Sequence, residues 1–104
     1  MPPSSLVDEA VQALAAAVPA SAQIWLFGSQ ARGDASPDSD LDFLVIEPEV
    51  TNRAQEMVRL RRALRPLRVA ADVLVYSRDE VKRWRDEPGT ALYWALKEGR
   101  LVYG

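Results

Sequence analysis

The chain has 104 residues, with 13 Lys and Arg against 15 Asp and Glu for a formal net charge of −2, and it contains neither His nor Cys. Those two absences exclude a Ser-His-Asp triad, a cysteine nucleophile, a His/Cys zinc site and a disulfide framework, so any acid, base or metal ligand must be a carboxylate or a hydroxyl. The near-neutral balance argues against a surface built to bind nucleic acid, and no direct DNA binding is expected.

Ser4 or Ser5 reads as the cap of a first helix, with Asp8 and Glu9 in its first turn and Leu6, Ala10, Ala13, Leu14 and Ala17 as its apolar stripe, ending before Pro19. Ala22 to Phe27, AQIWLF, is a short buried strand that stops at Gly28, and Leu41 to Ile46, LDFLVI, is a second. A helix is expected from Thr51 to Leu64, where Ala54, Met57, Leu60 and Leu64 recur at spacings of three and four, and Pro66 disfavours helical geometry at Arg65. Val69 to Tyr76, VAADVLVY, is a third strand; Asp79 to Asp86 and Thr90 to Lys97 are short helices, the latter ended by Gly99 at C′, and RLVY is extended. Helices alternating with strands make one α/β domain over residues 1–104, a small mixed sheet flanked by helices. No apolar run approaches the ~20 residues of a membrane span, and MPPSSLVDEA lacks the features of a secretion signal, so a cytoplasmic protein without membrane contact is expected.

The polar segment between the first two strands carries the chemistry. Gly28 and Ser29 end a strand and precede the helix-compatible Gln30, Ala31 and Arg32, which makes a turn whose backbone N–H groups suit a phosphate. Gly28 lets the backbone approach the anion, Ser29 adds a hydroxyl and Arg32 a charge. The same letters also fit an ordinary strand-to-helix turn. Asp40 and Asp42 stand two residues apart at the mouth of the second strand, so both fall on one face with Cα atoms ~6–7 Å apart. Carboxylates at that separation repel by about 3 kcal/mol at an effective dielectric of ~20 and call for a cation, with Ser39 to hydrogen-bond beside them; a solvated acidic loop is the plainer alternative. Asp72 interrupts an apolar strand. It either completes a three-carboxylate site beside Asp40 and Asp42 or faces water from an edge strand. Three carboxylates without His favour Mg²⁺ or Mn²⁺ over zinc.

The stretch GSQARGDASPDSDLDFLV resembles the GSxAxG…SDxD signature of minimal nucleotidyltransferases in the DNA polymerase β superfamily, matched here by Gly28, Ser29, Ala31, Gly33, Ser39, Asp40 and Asp42. VAADVLVY resembles that family's third-carboxylate strand, and a chain this short is similar to the MNT antitoxins encoded beside HEPN toxins. The resemblance implies the nucleotidyltransferase, polymerase β-like fold. It also implies that Asp40 and Asp42 hold two Mg²⁺ ions against the triphosphate of ATP or another NTP, with Mn²⁺ as the substitute, and that Asp72 shares one metal and helps deprotonate the acceptor hydroxyl. Gly28 and Ser29 would grip the β- and γ-phosphates, with Arg32 and Ser39 in the same phosphate-binding set. In the antitoxin branch the implied reaction is AMP transfer from ATP to a tyrosine hydroxyl of the HEPN partner, releasing pyrophosphate. The alternatives are transfer to an aminoglycoside-like small molecule or to RNA, and an antitoxin that acts by binding alone. Small-molecule transferases of the superfamily bring an extra helical domain, for which 104 residues leave no room.

Arg53, Arg59, Arg61, Arg62, Arg65 and Arg68 either bind RNA or an acidic partner or simply solvate the outer face of a helix. Trp84, Tyr93 and Trp94 read as core, or as a partner or homo-oligomer interface, and Trp25 as core.

Overall fold

The computed structural model describes residues 4–28 and 41–104. Along the chain these form α1 (Ser4–Ala17), β1 (Gln23–Phe27), β2 (Leu41–Glu47), α2 (Arg53–Leu64) with a 3₁₀ turn (Arg65–Leu67), β3 (Ala71–Ser77), α3 (Arg78–Trp84), α4 (Ala91–Glu98) and β4 (Arg100–Tyr103). The four strands make one mixed sheet in the order β3-β2-β1-β4. β1 runs antiparallel to β2 and β4, whereas β2 and β3 are parallel and joined by α2, the long crossover that parallel neighbours require.

β2 is one of the two inner strands and has helices over both faces, so apart from Asp42 its sequence up to Glu47 is an apolar run and not an alternation. On one face Phe43 and Val45 pack with Ile24, Leu26, Val73 and Val75 under α1 and α2, which contribute Val7, Ala10, Leu14, Leu60 and Leu64. On the other, Leu44 and Ile46 meet Leu92 and Ala95 of α4, with Trp25, Phe27, Leu74 and Val81 of α3 partly buried around them.

Several local expectations are corrected. Ser4 and Ser5 are themselves helical, and the first turn of α1 holds no acidic residue; Val7 replaces the half-buried Leu6 in the stripe. α2 starts at Arg53 because Asn52, whose Oδ1 accepts from Gln55 N at 3.1 Å, is the cap. Ala54 is exposed, leaving Leu60 and Leu64 as its buried residues. Arg65 keeps helical geometry (φ −55°, ψ −43°) although Pro66 follows, since the chain tightens into a 3₁₀ turn and is stopped by Arg68 in the left-handed region. Gly99 is extended (φ −83°): what requires glycine there is crowding, because a Cβ would lie 2.3 Å from the carbonyl oxygen of Ala95. Trp84 and Trp94 are exposed and Tyr93 and Trp25 half-buried. Among the described residues no helix is long and apolar enough to cross a membrane.

Candidate active site

Sheet register decides what surrounds Asp72. β2 and β3 pair so that Asp42 stands directly beside Asp72, with Leu41 beside Ala71 and Phe43 beside Val73. Residues in register on adjacent strands project from the same face ~4.8 Å apart, so the two carboxyl groups share one face at one end of the sheet. That face is the one carrying Leu44, Leu74 and α4. β3 is an edge strand and the Asp72 side chain is 61% exposed, as the water-facing reading expects; of the three-carboxylate reading, the described residues show only that Asp72 neighbours Asp42. Arg61 Nη2 of α2 reaches Asp72 Oδ1 at 3.3 Å. With both side chains at least half exposed, this pair contributes at most ~1 kcal/mol and serves to orient the carboxylate.

Gly28 closes the site from the other side. Phe27 is the register partner of Asp42 in β1, and the chain turns immediately after it with Gly28 at φ +75°. A Cβ at Gly28 would sit 2.4 Å from Asp42 Oδ2 and 3.2 Å from its Cγ, so the half-buried Asp42 carboxyl lies in a cradle that only a glycine leaves open. Ser29, Arg32, Ser39 and Asp40 lie outside the described residues. Among the described residues no group of three or more metal-competent side chains occurs, and Asp42 with Asp72 is the part of the expected carboxylate set that the fold brings together.

A second acidic feature was not anticipated. Glu47, the last residue of β2, is 3% exposed and its Oε2 has no hydrogen-bond partner among the described residues. It lines a cavity of about 320 Å³ with Glu56, Arg59, Asn52 and Gln55. Burial, then the neighbouring Glu56, pushes the Glu47 carboxyl up to about 7, whereas the bidentate Arg59 bond (2.7 and 2.6 Å) and the Glu47 hydrogen bond hold Glu56 down at about 2. Five residues along β2 separate Glu47 from Asp42, ~16 Å, so this pair stands apart from the candidate site. The only signal in the sequence was a Glu closing an apolar strand before Pro48.

The six arginines divide by role. Arg53 Nε donates to Val75 O at 3.0 Å, and its guanidinium bonds Glu80 and covers the Tyr76 ring; Arg59 is held by Glu56 and Arg61 by Asp72. Arg61, Arg62, Arg65 and Arg68 line a basin of about 690 Å³.

Residues 7–101 match the family model described as a nucleotidyltransferase domain. The fold is similar to that of a Sulfolobus solfataricus protein assigned as a nucleotidyltransferase (26% identity, TM-score 0.63, covering 93% of this chain and 76% of that one). It is also similar to a chain in a toxin–antitoxin complex with AMP-PNP (16% identity, TM-score 0.67, 93% and 72%). A third likeness is to a complex of tri-AMPylated Shewanella oneidensis HEPN toxin with MNT antitoxin (15% identity, TM-score 0.65, 97% and 71%). At such identities the last two likenesses establish the fold alone. No functionally curated protein gave a significant sequence match. With the mixed sheet, the neighbouring aspartates and a family match over nearly its whole length, this chain belongs to the nucleotidyltransferase domain family.

Proposed function

We propose that the chain transfers AMP from ATP to a tyrosine hydroxyl of a HEPN-type partner protein, with release of pyrophosphate, and so acts as the antitoxin of a cytoplasmic toxin–antitoxin pair. The observation that carries the catalytic part is the placement of Asp42 beside Asp72 with Gly28 folded against the Asp42 carboxyl. Two carboxylates on one face, with oxygen donors only, fit a hard divalent cation, and the glycine cradle leaves the Asp42 oxygens uncrowded. Asp42 and Asp72, together with Asp40, would hold Mg²⁺, or Mn²⁺ in its place; when bound, such a cation supplies charge neutralisation at the triphosphate and at the attacking oxygen. Gly28 leads into Ser29, Arg32 and Ser39, which in this proposal grip the β- and γ-phosphates. The Asp72 carboxylate takes the acceptor hydroxyl proton, the hydroxyl oxygen bonds to the α-phosphorus, and the bond to the β-phosphate oxygen breaks with its electron pair leaving on pyrophosphate. Support for ATP and for a protein acceptor comes from the AMP-PNP and the AMPylated HEPN toxin in the two complexes of similar fold.

The test is to incubate wild type and Asp42→Asn with Mg²⁺, α-labelled ATP and a lysate of the source cells. Label should appear on one protein band with wild type, disappear with EDTA, and fall at least ~100-fold in the variant, whose unfolding curve shows it folded. Undiminished transfer by folded Asp42→Asn would overturn the metal site. Label in RNA or in small molecules would replace the acceptor, and a partner that co-purifies unlabelled with both forms would leave binding alone.

A further inference from the structure

Residues 57–71 contain five arginines and no acidic residue, in a chain whose net charge is −2. Charge is thus segregated. The fold gathers four of the five, Arg61, Arg62, Arg65 and Arg68, around one basin of about 690 Å³. Arg61 leans on Asp72; among the described residues no carboxylate pairs with Arg62, Arg65 or Arg68. Neighbouring guanidiniums repel one another, so an unneutralised cluster of this kind calls for an anion.

Two further observations give the basin a direction. Its wall includes Ala71, the first residue of β3, and Arg61, whose Nη2 reaches Asp72 Oδ1 at 3.3 Å, so the rim of the basin adjoins the edge of the sheet at Asp72. Arg68 also sits at φ +52°, the one described non-glycine residue with positive φ, in a region that glycine or asparagine adopts with less strain. A strained backbone that keeps an arginine on the basin wall points to a use for that arginine.

We propose that this basin docks an acidic, leucine-bearing segment of the protein acceptor and so delivers the acceptor hydroxyl to Asp72; the proposal rests on the transferase reading given above. The lining decides for protein over RNA. Exposed Val58 and half-buried Val69 lie among the arginines, the mixture of a protein interface, and among the described residues the wall has no aromatic side chain on which a base would stack. Arginine forks pair with carboxylates in bidentate geometry, and Val58, 47% exposed, offers the apolar contact between them.

The probe is a short fluorescein-labelled peptide of repeating Glu-Glu-Leu, read by anisotropy against wild type, Arg62→Glu/Arg65→Glu and Arg68→Gly, with a labelled single-stranded RNA as the second arm. The peptide should bind wild type, weaken between ~0.05 M and ~0.5 M salt, and bind the double variant roughly tenfold less tightly. Arg68→Gly should weaken the peptide roughly threefold while raising the unfolding temperature, a combination that a merely structural arginine would not produce. Tighter binding of RNA than of peptide, or equal peptide affinity in all three proteins, would overturn the docking surface. Peptide affinity is also measured with Asp42→Asn: binding retained there while wild type transfers no label places the fault in the transferase reading. Transfer to the protein acceptor at unchanged KM by the double variant places it in the docking surface.

Discussion

Gly28 and Asp42 show how one missing carbon shapes a site. An alanine at position 28 would have to hold φ +75° and find room for a Cβ 2.4 Å from Asp42 Oδ2. The backbone term costs ~1 kcal/mol, and the contact is relieved only by moving the carboxyl. Gly28→Ala should therefore lower thermal stability modestly but reduce label transfer at least ~30-fold, because an ångström of displacement at a reacting centre is expensive. Equal activity would mean that the Asp42 position is not critical. Glu47 makes the opposite kind of point, a carboxyl placed where its charge is unwelcome. Its folded value of about 7 lies above the ordinary 4.5, so between those pH values the native state holds a proton that the unfolded chain has lost. Stability from this group is then present below about pH 4.5 and declines as pH rises to 7, by on the order of 3 kcal/mol. Glu56, held at about 2, works with the reverse sign and loses its contribution as the pH falls below 4.5. Glu47→Gln keeps a donor toward Glu56 and removes the titration. Urea midpoints at pH 5 and pH 8 should differ for wild type and converge in the variant; an unchanged difference would assign the pH dependence to other groups.

At the scale of elements, the strands were legible because bulky apolar runs such as QIWLF and LDFLVI leave no other interpretation, whereas their ends were not. β2 extends to Glu47 and β3 to Ser77 because a polar residue can finish a ladder while serving another role: Glu47 enters the second acidic pair, and Ser77 accepts from Glu80 N as the cap of α3. Asp72 stood out as a charge inside an apolar strand, but its neighbour depends on pairing between residues thirty apart, which local propensity does not encode. Of the expected site, the fold brings together Gly28, Asp42 and Asp72, while Ser29, Arg32, Ser39 and Asp40 rest on the signature itself. The arginine row was visible and its division was not. One helical turn sends Arg59 toward Glu56 and Arg61 toward Asp72, and the 3₁₀ turn after Leu64 swings Arg65 and Arg68 onto the basin wall. Pro66 and Gly99 carry the same lesson: each marks an ending correctly, but the backbone it adopts is set by the packing around it.

For the whole molecule, a sheet covered on both faces places the carboxylates on its thinner side. Among the described residues the α1/α2 layer has twelve buried residues and the α3/α4 layer four, and the Asp42–Asp72 face belongs to the second. A domain of this size is stable by ~5–15 kcal/mol, so a single large cavity in the main layer consumes much of the margin. Phe43 is completely buried there, and Phe43→Ala should cost ~3–5 kcal/mol and leave the protein near its unfolding midpoint at 37 °C. Leu92 is just as inaccessible, but it sits among the partly buried Trp25, Phe27, Leu74 and Leu96, which have room to close over a cavity. Leu92→Ala should fall at the low end of its range, ~2 kcal/mol, with a single cooperative urea transition because both layers share β2. Equilibrium unfolding followed by tryptophan fluorescence reads the second layer through Trp25 and Trp94, and far-ultraviolet circular dichroism reads the whole chain. Coincident transitions in Leu92→Ala would make the carboxylate face as stable as the fold beneath it, and an earlier fluorescence transition would make α4 a separately melting cover over the site.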